Sequence, residues 1–82
     1  VADMKYIIDQ DGDVGFCSDD LMLLVFPMVE GRTEEDFRRA AGVAARGLRH
    51  GVGYHRGHCV AEGLESFRTV SRAEAQKAWT NG

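Results

Sequence analysis

Apolar positions recur along this chain at two spacings, and the longest clean recurrence is helical. Phe37, Ala40, Ala41, Ala44 and Leu48 fall on one stripe of a helix. Signals at both ends bracket it. The Thr33 hydroxyl can accept a hydrogen bond from an orphan amide of the first turn, and Glu34, Glu35 and Asp36 meet the positive end of the helix dipole. Arg46, Arg49 and His50 meet the negative end, and Gly51 suits the left-handed residue beyond it. The segment Thr33 to Gly51 is therefore predicted to be a central amphipathic helix. Its buried stripe is mostly alanine, with Gly47 near the edge, so a sheet or a second helix can approach closely. Gly42 and Gly47 each cost roughly 1 kcal/mol relative to alanine in a helix interior, which either close approach of another backbone or a tolerated bend would offset. Arg38, Arg39, Arg46 and Arg49 gather on the opposite arc, where Glu35 has the spacing to reach Arg38 and Arg39.

Ahead of the helix the pattern is that of strands. Lys5 to Ile8 is rich in β-formers, Asp11-Gly12 is a favoured two-residue hairpin loop, and Val14 to Cys17 reads as the returning strand. The apolar run LMLLVF then follows Ser18-Asp19-Asp20. A serine cap with two acids favours a short helix there, whereas a short apolar run between turn residues favours a buried strand. The reading leans to a helix over residues 19–26, ended by Pro27, with Glu30-Gly31-Arg32 as the turn into the central helix. After Gly51, Val52 to His55, His58 to Ala61 and Leu64 to Val70 are separated by Arg56-Gly57 and Glu62-Gly63, which predicts a short antiparallel meander. Ser71-Arg72-Ala73-Glu74 is a capping box, with Val70 and Ala75 placed for a staple across it. It opens a C-terminal helix that Trp79 is expected to pack onto the core.

The fold class expected is α+β, a single domain over residues 1–82 with an N-terminal β-hairpin, the central helix, the meander and the C-terminal helix. A chain this short has little interior for a catalytic cleft, and a partner or a second copy would help it bury surface. The uncharged run Leu21 to Val29 is far shorter than the ~20 residues of a membrane span. The start VADMKYIID lacks the basic and apolar regions of a signal peptide, so a cytoplasmic location is expected. Val1 to Asp3 read as a vector remnant or an alternative start ahead of Met4. Cys17 and Cys59 are expected as free thiols, a bridge between them requiring that their strands be neighbours.

Charge changes this picture most. The net charge of −3 hides a division: residues 1–36 carry ten acids against Lys5 and Arg32, a balance of −8, and residues 37–82 carry eight cations against Glu62, Glu65 and Glu74, a balance of +5. Such asymmetry points to an electrostatic partner, unless the two halves neutralise one another within the chain.

Candidate chemistry adds less. Asp9, Asp11 and Asp13 have the alternate spacing of a calcium loop, but Val14 stands where that loop needs glycine, and its bidentate glutamate is missing. His50, His55, His58 and Cys59 crowd into ten residues. Structural zinc needs four converging ligands, and only His55 and His58 have a pair spacing. Strand and turn histidines without metal are the better reading. A Cys59–histidine nucleophile lacks a third group to orient it, so no catalytic residue is assigned. No glycine loop for phosphate or dinucleotide is present, and no cofactor or metal is expected.

The order of hairpin, apolar segment, EGRTEED helix and strand resembles the small HicB-type antitoxin fold over about half the chain, on a DG turn and a T-x-E-E helix start. Those two features are generic and carry no function with them. The function expected is that of a small non-enzymatic interaction or regulatory protein, inhibitor-like and bacterial or phage-like in style. Its acidic surface of Asp9, Asp11, Asp13, Asp19 and Asp20 would dock on a basic protein partner, with self-association as a homodimer a further expectation. The alternative is a nucleic-acid-binding module using Arg38, Arg39, Arg46, Arg49 and Arg56. A metal- or thiol-dependent site around His55, His58 and Cys59 comes third.

Overall fold

The computed structural model describes residues 4–82, so the reading of Val1 to Asp3 lies outside the described residues. Five strands, β1 (Lys5–Asp9), β2 (Val14–Cys17), β3 (Leu23–Val25), β4 (Tyr54–His55) and β5 (Phe67–Val70), form one antiparallel sheet in the order β4-β3-β2-β1-β5. Helices α1 (Glu34–Arg49) and α3 (Arg72–Asn81) pack on one face, and α2 (Arg56–Ala61) follows directly on β4. The architecture is the expected α+β, with the hairpin, the central helix and the C-terminal helix in place. No helix among the described residues is long and apolar enough to cross a membrane.

Strand alternation sends neighbouring residues to opposite faces, so the sheet has two cores. Ile8, Val14 and Phe16 face α1 and α3, where they meet Phe37, Ala40, Ala41, Ala44, Ala75 and Trp79. Ile7, Cys17 and Leu24 face the other way, under Leu21, Phe26, Cys59, Leu64 and Phe67. Cys17 and Cys59 belong to this second cluster and both are free thiols. Alanines on α1 let the helix lie close to the sheet, and Leu48, at the end of the predicted stripe, is only partly buried.

Helix α1 begins with a reciprocal cap. Asp36 N–H donates to Thr33 Oγ1 at 3.1 Å, while Asp36 Oδ2 accepts from Thr33 N at 3.1 Å and from Thr33 Oγ1 at 2.7 Å. The helix ion pairs are Arg38–Glu34 and Arg39–Asp36, at 2.9 and 2.7 Å, rather than pairs to Glu35. The Thr33 hydroxyl first, then the Thr33 amide and the Arg39 and Arg32 charges, hold the Asp36 carboxyl below the ordinary aspartate value. A depressed pKa means that Asp36 stabilises the fold fully above its unfolded value and loses that contribution as pH falls through the lower folded one. Asp36→Asn should therefore flatten the fall of the thermal midpoint below about pH 4. A variant whose midpoint runs parallel to that of the natural chain across the acid range would refute the assignment.

Four local expectations are corrected. Residues 19–26 form a turn and then strand β3, not a helix. Ser18 Oγ accepts from Leu23 N at 3.0 Å and Met22 N at 3.3 Å, and Leu21 has φ 64°, which a right-handed helix excludes. The hairpin loop is longer than two residues. Gly12 N donates to Asp9 O and Asp9 N to Asp13 O, both at 3.0 Å, with Gly12 left-handed at φ 85°, the pattern of a turn closed by a bulge.

There is also no meander after Gly51. His58–Ala61 lies in α2, and β4 and β5 occupy opposite edges of the sheet. Glu62-Gly63 is a helix stop rather than a hairpin turn: Gly63 N reaches Val60 O and Leu64 N reaches Cys59 O, with Gly63 at φ 108°. Ser71 Oγ caps α3 by accepting from Glu74 N at 3.1 Å, but the Glu74 carboxylate pairs with Arg68 at 2.6 Å instead of closing the box.

Candidate functional site

The five acids expected to form one surface sit at two ends of β2. Asp9, Asp11 and Asp13 surround the hairpin tip, whereas Asp19 and Asp20 lie in the turn between β2 and β3. They also differ in what they do. Asp9 Oδ1 accepts from Asp11 N and Asp13 N, each at 2.9 Å, so that carboxylate builds the tip. Asp20 Oδ1 accepts from the Ser18 hydroxyl at 2.5 Å and Met22 N at 3.1 Å, bonds that pull its pKa below the ordinary value. Asp19 stands 3.6 Å from Lys5. Asp11, Asp13 and Asp20 are exposed and without a cation at ion-pair distance among the described residues, but the Asp20 carboxylate is engaged by Ser18 and Met22, which leaves Asp11 and Asp13 as the uncommitted pair.

Ligand atoms of Asp9, Asp11 and Asp13 lie within 4.8 Å of one another, the one such grouping of histidine, cysteine or acidic side chains among the described residues. Their convergence follows from the turn that Asp9 closes. Its effect is a concentrated negative potential at the tip. His50, His55, His58 and Cys59 do not converge in this way. His58 instead stacks on Tyr54, with centroids 5.5 Å apart and planes at 14°, and its Nε2 lies 3.8 Å from Glu62. Burial, reinforced by Glu62, pushes the Cys59 thiol up, opposite to the activation that a thiolate nucleophile needs.

The five arginines also separate, into three groups. Arg38 and Arg39 are held by Glu34 and Asp36 on their own helix. Arg56 lies over the Phe67 ring at 5.1 Å, across the second core. Arg46 and Arg49 are exposed and have no carboxylate within 4.0 Å among the described residues. Among the described residues, the only ion pairs between the acidic and basic halves are the two within α1.

An apolar groove runs beside these free arginines and was not anticipated from the sequence. It has a volume of about 420 Å³ and lies between the C-terminal half of α1 and the β3–β4 edge. Leu24, Val25 and Phe26 line it from the sheet, and Val43, Val52 and Tyr54 form its exposed walls. One signal was available: Val43 is an apolar residue outside the buried stripe, set between Arg39 and Arg46 at helical spacing. No family model, curated protein or solved structure matches this chain, so its function is read from this geometry.

Proposed function

We propose that this chain is a non-enzymatic interaction protein that engages a macromolecular partner through charge-polarised surfaces. The supporting observation is that, among the described residues, the opposite charges of the two halves pair only within α1: Asp11 and Asp13 at the hairpin tip and Arg46 and Arg49 at the end of α1 are all exposed and lack ion-pair partners. Unpaired charges of one sign steer association and make its rate fall with salt. Affinity capture at two ionic strengths tests this, comparing the natural chain with Asp11→Asn/Asp13→Asn and with Arg46→Gln/Arg49→Gln. Asp9 and Asp20 are kept because they shape their turns. At least one of the two variants should capture its partner less and with a flatter salt dependence. A partner held equally by the natural chain and both variants, at both ionic strengths, overturns the reading.

Nucleic acid is the second reading, favoured by the exposed Tyr54–His58 stack near Arg56 in the chain. Single-stranded nucleic acid is held by aromatic platforms beside cations. Fluorescence anisotropy with an oligothymidylate at low and high salt tests it, and no binding at low salt eliminates it.

A further inference from the structure

We propose that the groove between α1 and the β3–β4 edge is a docking site for an acidic polypeptide segment carrying an apolar anchor side chain. The inference deepens the charge-guided reading and rests on it. The walls Val43, Val52 and Tyr54 are 42%, 62% and 61% exposed, which leaves apolar surface open around a floor supplied by Leu24 and Val25. No residue lining the groove is charged. Contiguous apolar surface of this kind, with a polar rim, is characteristic of interaction sites.

The rim sets the sign of the partner. Arg46 stands one turn beyond Val43 on the same side of α1, whereas Arg49, six positions from Val43, turns away from the groove. Helix α1 also brings its negative dipole end here, worth about half a charge, but the full guanidinium charge of Arg46 outweighs it. The last carbonyls are already occupied as well, Gly47 O by Val52 N at 2.7 Å and Leu48 O by Gly51 N at 3.1 Å. An anionic segment therefore meets net positive charge.

β4 is the terminal strand of the sheet but only two residues long. Backbone pairing along so short an edge adds little, which leaves the anchor side chain and the acids to provide affinity. A nucleic-acid strand fits this groove less well. It needs open aromatic faces for successive bases, and the groove offers only Tyr54, already stacked on His58, and the partly buried Phe26.

Selection from a random-peptide display library on the immobilised full chain, followed by anisotropy of a synthesised winner, tests the assignment. Winners should be rich in Asp and Glu around a leucine or aromatic residue. Their affinity should fall at least about tenfold, near 1.4 kcal/mol, on Val52→Asp and on Arg46→Glu, and less on Val52→Ser. All three substitutions are at exposed positions, and unchanged circular dichroism verifies the fold. Winners without acidic enrichment, winners indifferent to Val52→Asp, or tighter binding of oligothymidylate than of any winner would each overturn the proposal. Partner capture that is salt-sensitive yet unchanged by Val52→Asp would sink the groove and leave the charge-guided reading standing. Salt-insensitive capture alongside winners that depend on Val52 would do the reverse.

Discussion

Trp79→Ala is expected to destabilise the fold by about 3–5 kcal/mol, the usual cost of truncating a buried tryptophan. The residue is 4% exposed and sets its ring edge against Phe37 at 6.0 Å, with Arg32 over its face at 4.5 Å. It is the main bulky side chain by which α3 holds to α1, since its other buried residue is the small Ala75. A domain of this size has a total stability of roughly 4–12 kcal/mol, so the loss is a large share of it. The thermal midpoint should fall by about 15–30 °C. Trp79→Phe should cost much less, because the indole Nε1 is buried without a hydrogen-bond partner and its removal leaves no acceptor stranded. Urea unfolding followed by circular dichroism measures both variants. An alanine variant with an unchanged midpoint would mean that α3 contributes little to the core. As the sole tryptophan of the chain, Trp79 should also emit at short wavelength in the folded protein and shift to the red on unfolding.

What the sequence made legible was local. α1 was readable because its stripe, its acidic first turn and its basic last turn lie within one short window and agree. The hairpin strands were readable for the same reason. Residues 19–26 were not, because a serine followed by acids caps either a helix or a turn. The choice is settled by Leu21, whose positive φ accompanies packing against the second core, a contact with distant residues. Glycine at position 63 was equally ambiguous, since a hairpin turn and a helix stop both ask for a left-handed residue.

Placement of the strands at opposite edges of the sheet depends on partners sixty residues apart, Tyr6 with Val70 and Ile8 with Arg68, which no window reveals. The candidate site followed the same rule. Excess acid and excess arginine could be counted from the sequence, but which charges remain unpaired depends on turn bonds such as Asp9 to Asp13. The groove joins Val25, Val43 and Tyr54, which meet only in the folded chain.

Gly15→Ala is expected to cost about 1–3 kcal/mol, and the sign of that effect should reverse when Phe26 is removed. Glycine in a central strand weakens it unless another group must come close, and here the group is the Phe26 ring. A Cβ at position 15 would stand 2.5 Å from Phe26 Cε1, 2.8 Å from Cδ1 and 2.9 Å from Cζ, so the ring has to move. In a Phe26→Ala background the space over the strand is open. Alanine at 15 then gains from restricting the unfolded chain, an effect of about 0.4–1 kcal/mol in favour of folding. The coupling between the two sites should fall within the 0.5–3 kcal/mol found for residues in contact. Urea midpoints of the natural chain, the two single variants and the double variant give it directly. Equal costs for Gly15→Ala in both backgrounds would show that the glycine answers to something other than this ring. Phe26 also lines the apolar groove, so displacing its ring reshapes the floor on which an anchor side chain would rest. Gly15→Ala should therefore weaken a groove-binding peptide from a position that the peptide never touches, whereas Thr80→Ser, at an exposed position in α3 outside the groove lining, should not.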